Sequence, residues 1–289
     1  MNRLTDSEKL MYDVMGAIAN SNVPVIYKGA MITKLILREH NFDDFARETQ
    51  DIDASWAGAN PPPMEQLTDM LNRGIQALRL TAVVKREYGE KMSAGFKIVD
   101  SVGDVKLSID IDMRAAVDSR TYQYGNVTFK GVTPDNVIAD KTSVVASEKI
   151  FRRAKDLIDL YALAHCVIVK TADIRNIWKR ENRIIGTFDA FTNRRDELRH
   201  SYEKLRRVDA KPEFDVIYNY LNSFLIPFIE LNATPLIWDS KTSGWGNEII
   251  PPRNNPQTLM GEIEEAKQIS AATLRNELSK PRNKQEIDI

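Results

Sequence analysis

Soft metal ligands are scarce in this chain: 289 residues hold one cysteine, Cys166, and three scattered histidines, His40, His165 and His200. A lone cysteine excludes an intrachain disulfide and fits a reducing, cytoplasmic setting. Three histidines without cysteine partners do not compose a zinc site. Long apolar runs are missing as well. The longest, residues 160–169, carries His165 and falls far short of the ~20 residues that cross a bilayer. The opening residues, Met-Asn-Arg-Leu-Thr-Asp-Ser-Glu, lack the apolar core of a secretory signal. No sign of charge dominates overall, with 40 Lys+Arg against 41 Asp+Glu. What is present is a soluble globular composition, 43% hydrophobic and 28% charged, long enough for one large domain or two ordinary ones.

The even balance hides an uneven distribution. Residues 141–211 hold 17 Lys+Arg and 10 Asp+Glu, a balance of +7, so the rest of the chain stands at −8. A basic segment between acidic flanks is either a solvated helical surface or a surface for a phosphate backbone.

Thr5 and Glu8 form a capping-box pattern, and Leu10, Met11, Val14, Met15 and Ile18 follow at helical spacing. Residues 24–27 predict a strand, residues 31–39 a helix, residues 42–50 a loop and residues 51–56 a second strand. Three prolines, Pro61 to Pro63, open a helix reaching Leu80. Residues 81–88, 95–99, 105–113 and 126–130 predict further strands. In the third of these, Val105, Leu107, Ile109 and Ile111 share one face, and Lys106, Ser108, Asp110 and Asp112 the other. Thr133-Pro134 starts a helix, and the period changes from two to 3.6 near Gly131. Phe214, Ile217, Tyr218, Leu221, Phe224, Leu225 and Phe228 make a helical core stripe, with Pro227 a candidate kink. Residues 239–256 predict a loop and 257–279 a last helix. The expected division is a catalytic domain over 1–131, a helical domain over 132–250, and a loop with a C-terminal helix or tail over 251–289.

The chemistry is concentrated early. Lys28-Gly29-Ala30 follows a strand and enters a helix, so backbone N–H groups and the positive helix end converge where a triphosphate could sit, with Lys28 as a nearby cation. Asp51-Ile52-Asp53 on a strand turns both carboxylates to one face, and Asp110 or Asp112 supplies a third from a neighbouring strand. An acid-x-acid triplet arises by chance about six times at this acid content, so the order of the parts carries the reading rather than the triplet. A small-residue turn, an Asp-x-Asp and a later acidic strand are how polymerase-beta-type nucleotidyltransferases assemble a site, with three carboxylates on two magnesium ions.

Lys28-Gly29-Ala30, then Arg47-x-Thr49-x-Asp51-Ile52-Asp53, then Ala139-Asp140-Lys141 with Arg152-Arg153-Ala154-Lys155-Asp156-Leu157-Ile158-Asp159-Leu160 resemble the AbiEii/AbiGii nucleotidyltransferase toxins of type IV toxin–antitoxin and phage-abortive systems. The resemblance covers residues 23–163, about half the chain. It implies an α+β fold: a polymerase-beta-like mixed sheet with flanking helices, followed by a helical C-terminal domain. It also implies transfer of a nucleotide from an NTP to RNA, in characterised members the tRNA 3′ end, with a neighbouring antitoxin as a further partner. Asp51 and Asp53 resemble the magnesium ligands, Lys141 the family's nucleotide-site lysine and Asp156 its helical acid. Two features depart from the pattern. Gly29-Ala30 stands where many members carry Gly-Gly or Gly-Ser, and the third carboxylate is Asp110 or Asp112, with Asp110 favoured. A small-molecule acceptor, or a non-catalytic member that binds RNA or protein, are the competing expectations.

Overall fold

The computed structural model describes residues 5–42, 49–87, 92–114, 118–206, 208, 211–231 and 234–248. Arg47, part of Asp209–Lys211 and the expected helix over 257–279 lie outside them, apart from Lys211 itself. The described residues up to Asn247 belong to one compact unit.

Helix α1 (Asp6–Asn20) starts on the capping box read from the sequence: the Thr5 hydroxyl accepts from Glu8 N–H, and the Glu8 carboxylate accepts from Thr5 N–H. Strand β1 (Val25–Lys28) runs directly into α2 (Gly29–Glu39). Next come β2 (Asp51–Trp56), α3 (Met64–Ile75), β3 (Thr81–Arg86), β4 (Ser93–Val99), β5 (Val105–Asp112), β6 (Ser119–Tyr124) and β7 (Val127–Val132). Those seven strands form one mixed sheet in the order β3-β4-β5-β2-β1-β7-β6. Its centre is a parallel pair, β2 with β5, flanked by antiparallel pairings β1–β2 and β4–β5. Alternation decides the faces: Ile52, Phe96, Ile98, Leu107, Ile109 and Ile111 are buried, while Asp53, Ser108, Asp110 and Asp112 between them are partly open.

The switch to helical period falls at the junction of β7 with α4 (Pro134–Val145), whose N-cap is Thr133. Helices α5 (Lys155–Cys166), α6 (Thr171–Arg180), α7 (Asp189–Thr192), α8 (Arg195–Glu203) and α9 (Phe214–Ile229) follow. The predicted stripe on α9 is core, and the helix runs on through Pro227, whose carbonyl accepts from Arg175. Strand β6, an edge strand, falls in a stretch for which the sequence predicts no element, and one reading needs correction. The expected loop from 239 onward instead begins with a hairpin, β9 (Leu236–Asp239) and β10 (Gly244–Asn247), which joins β8 (Val169–Lys170) in a small second sheet. Aromatic packing explains the hairpin: Trp238 and Trp245 both lie against Phe224, with their indole N–H groups donating to the Ala164 and Phe224 carbonyls.

Candidate active site

The site is built where β1 ends. Lys28 is extended, and Gly29 turns the chain with a φ of +71°, in the left-handed region where glycine is favoured. A Cβ on Gly29 would also come within 3.0 Å of Asp53 Oδ2. Glycine is therefore required twice at this position, by the backbone and by the carboxylate that leans on it.

Register places the acids. Lys28 is opposite Asp53 across β1 and β2, and Asp53 is opposite Asp110 across β2 and β5. Asp51 shares their face two residues earlier, level with Ser108. Asp112 is level with Ser55. Of the two candidates for a third carboxylate, Asp110 is thus the one beside Asp53.

The charges sort in the same way. Burial pushes the Asp53 carboxyl above the usual carboxylate range, with Asp110 and Asp51 adding to the shift and Lys28 and Lys155 opposing it. Burial acts on Asp112 too, but the Arg114 guanidinium and the Lys28 ammonium outweigh it and hold that carboxyl well below its ordinary value. Lys28 Nζ lies 3.2 Å and Arg114 Nη2 2.5 Å from Asp112 Oδ2. Asp110 faces Arg86, with Nη2 2.5 Å from Oδ1. Among the described residues no three His, Cys, Asp or Glu are already drawn around one point as a metal cage. The donor set still suits a hard divalent cation: three aspartates share one sheet face, and the central one is raised by burial and, beyond that, by its acidic neighbours.

The profile of the family "Nucleotidyl transferase AbiEii toxin, Type IV TA system" matches residues 37–231, about two thirds of the chain. The chain belongs to the AbiEii family. It is accordingly a nucleotidyltransferase of the type IV toxin–antitoxin class. The matched span takes in Asp51, Asp53, Asp110, Lys141 and Asp156, whereas the turn at residues 28–30 precedes it. Solved structures similar to this AbiEii-family chain include a candidate nucleotidyltransferase from H. pylori, at 14% identity and TM-score 0.48, covering 79% of this chain and 97% of the other. JHP933 from Helicobacter pylori aligns at 16% identity and TM-score 0.44, covering 80% and 99%. The nucleotidyltransferase toxin MenT4 from Mycobacterium tuberculosis aligns at 16% identity and TM-score 0.42, covering 65% and 66%. Among curated protein sequences, none matches this chain.

Lys141 and Asp156, the remaining residues that the AbiEii resemblance singles out, meet each other. Lys141 Nζ donates to Asp156 Oδ1 at 3.0 Å and to Asp159 Oδ2 at 2.6 Å, and all three side chains are buried. Arg153 Nε closes on Asp156 Oδ2 at 2.6 Å. Arg153 also reaches Asp140, which Arg183 Nη1 holds at 2.8 Å. By spacing alone, Asp156 and Asp159 read equally well as an exposed ion-pair face; their burial identifies them instead as the centre of a charged network joining α4 to α5. Lys155, the first residue of α5, is one of the two cations that oppose the upward shift at Asp53. The sequence offered no sign of Arg86 or Lys155 as site residues. Asp159 was visible only as the second acid of the Lys-Asp-Leu-Ile-Asp run.

Much of the basic segment of this AbiEii-family chain is engaged internally. Arg194 bonds Glu197 and Glu148 and lies over Phe151. Arg195 and Arg199 share Asp215, each over an aromatic ring. These arginines hold α8 and α9 in place, which a charge count does not reveal. Lys149 and Arg152 are exposed on the short turn before α5. No described helix is long and apolar enough to cross a membrane.

Proposed function

We propose that this nucleotidyltransferase transfers a nucleoside monophosphate from an NTP to an RNA 3′ end, that of tRNA, using magnesium held by Asp51, Asp53 and Asp110. The observation that carries this reading is the register of Asp53 against Asp110, with Asp51 on the same face and the Gly29 turn against the Asp53 carboxylate. Bound there, magnesium would activate the acceptor hydroxyl and offset charge on the departing pyrophosphate. The N-terminus of α2, entered through Gly29, offers backbone N–H groups to the triphosphate. Lys28, now on Asp112, is within the same cluster to add a cation. The acceptor oxygen bonds to the α-phosphorus as the bond to the β-phosphate bridging oxygen breaks, and the hydroxyl proton leaves to a cluster carboxylate or to water. Lys141 and Asp156 support the site through the α4–α5 network, and Lys141 is the residue of that network that the resemblance assigns to the nucleotide. A cognate antitoxin, a role in abortive phage defence and a cytoplasmic location complete the reading.

A second reading, with a small-molecule acceptor, is favoured by one observation: Arg194, Arg195 and Arg199 already have acidic partners, which leaves less free charge for a polyanion. The deciding experiment incubates the protein with total RNA and each labelled NTP, with and without magnesium, beside Asp53→Asn. Magnesium-dependent label on RNA that disappears in Asp53→Asn supports the proposal. Label on small molecules alone favours the second reading, and no transfer of any NTP by a folded protein refutes both. RNA affinity of Lys149→Gln/Arg152→Gln across a salt series adds a direct check, because each lost phosphate contact lowers the slope of log K against log salt by about one.

A further inference from the structure

We infer that Arg86 is a positioning residue that stands in for a cation at Asp110 and competes with a divalent metal for that carboxylate, so that Arg86 sets the metal affinity. The inference rests on the reading of Asp51, Asp53 and Asp110 as metal ligands.

Four observations place Arg86 there. It ends β3, on the far side of β4 from β5, so its side chain has to cross an intervening strand to reach Asp110. The β3–β4 register shifts between Val84 and Arg86, which brings Arg86 opposite Gly95; such irregularities re-aim a side chain. Gly95, in turn, is opposite Asp110. A Cβ on Gly95 would stand 3.0 Å from Asp110 Oδ1 and 3.5 Å from Arg86 Nη2. The absent side chain therefore leaves a path for the guanidinium over β4. Finally, Arg86 is fixed by more than the carboxylate: its Nε donates to the Ser93 carbonyl at 3.1 Å and its Nη2 to Ser93 Oγ at 2.9 Å. A bulge, a glycine and two anchors converge on a single contact.

That contact is incompatible with metal on the same oxygen. The guanidinium occupies Asp110 Oδ1 at 2.5 Å, whereas magnesium needs its ligand oxygen at about 2.1 Å and would face a like charge at close range. The two are therefore competitors, and the partly exposed setting of the pair limits the strength of that competition to a modest factor.

The test measures Mn²⁺ binding to the full-length protein, without nucleotide, by the loss of the free-ion electron paramagnetic resonance signal. The variants are Arg86→Gln, Arg86→Lys, Lys97→Gln and Arg86→Gln/Asp110→Asn. Lys97 lies on the same face of β4, opposite Ser108, and controls for the general field of a lost cation. Arg86→Gln should bind Mn²⁺ about three- to tenfold tighter than wild type. Arg86→Lys, which keeps the charge but loses the planar fork, should fall between the two. The gain should vanish in the double variant, and Lys97→Gln should change affinity less than twofold. Should Arg86→Gln fail to fold by circular dichroism, Arg86→Lys alone carries the comparison. Equal affinity of wild type and the Arg86 variants, or an equal gain in Lys97→Gln, would overturn the inference while leaving the metal site in place. Absence of Mn²⁺ binding in every variant would overturn the metal reading and this inference with it.

Discussion

Gly29→Ala tests the joint between the turn and the carboxylates. Alanine at a φ of +71° costs about 1–2 kcal/mol in the left-handed region. Its Cβ would also lie under 3.0 Å from Asp53 Oδ2, so the carboxylate must swing away by roughly 1 Å, at about 0.5–1.5 kcal/mol for a strained rotamer. The sum, about 1.5–3.5 kcal/mol, should lower the melting temperature by about 3–14 °C in a unit of this size. Activity should fall further than stability, by about 10²-fold, because the carboxylate proposed to hold magnesium is displaced by about that distance. Gly125→Ala is the control: Gly125 also has positive φ, but a Cβ there meets nothing within 4 Å. It should show the backbone cost alone and full activity. The contact itself is isolated by a cycle with Asp53→Ala, which removes the obstructing oxygen, so the double variant should be less destabilised than the two single changes added together. Differential scanning calorimetry and labelled-NTP transfer supply the two readouts. If Gly29→Ala matches Gly125→Ala in both, or the cycle is additive, the close approach of the turn to Asp53 has no energetic meaning.

Asp53→Asn should abolish transfer, by 10³-fold or roughly more, yet raise stability at neutral pH without metal: a carboxyl raised in the folded state binds its proton more tightly there than in the unfolded chain, so folding is penalised as pH rises through the folded value. The gain should shrink as pH falls from the folded value towards the unfolded one, and a urea-melt series from pH 3 to 7 in which the gain does not shrink on acidification would contradict it. Asp112→Asn should do the reverse for stability, since a depressed carboxyl stabilises above its unfolded value and that contribution disappears on acidification; it should retain appreciable transfer, whereas Asp110→Asn should be inactive, and the opposite ranking in the transfer assay would move the site by one same-face step. Lys141→Ala should destabilise by about 3–5 kcal/mol, because it leaves Asp156 and Asp159 buried without their shared cation, and an unchanged chemical-denaturation midpoint would show that the network does not bear on the fold.

What the sequence made legible followed local rules. The capping box of α1 and the bounds of β2 depend only on residues near one another, and both were readable. The shared face of Asp110 and Asp112 was readable from the period of two, but not which of them stands beside Asp53, because register is set by the pairing of distant strands. Strand β6 escaped because an edge strand needs no continuous apolar face, and its one fully buried side chain is Tyr122. The β9–β10 hairpin escaped because Gly244 and Gly246 mimic a loop, while the contact that holds it, Trp238 and Trp245 against Phe224 of α9, reaches outside the segment. A buried ion cluster and a solvated charged face have the same letters, so Asp156 and Asp159 could not be separated from a surface pair without the packing of α4 against α5. The charge of residues 141–211 misled for a related reason: Asp215, the acid that neutralises Arg195 and Arg199, lies just beyond the counted stretch.

The parallel pairing of β2 with β5 has a consequence for the life history of the chain. Parallel neighbours cannot be joined by a tight hairpin, and here α3, β3 and β4 all intervene between Asp53 and Asp110. A chain emerging from the ribosome therefore carries its first two acids for a long interval without the third, and the pair closes only after a large loop has been ordered, the kind of step that slows folding. Lys155, whose charge reaches Asp53, emerges later still. A protein of a toxin family is thereby built so that no short, early-folding fragment brings Asp51, Asp53 and Asp110 together, and the three share a face only once the sheet is complete.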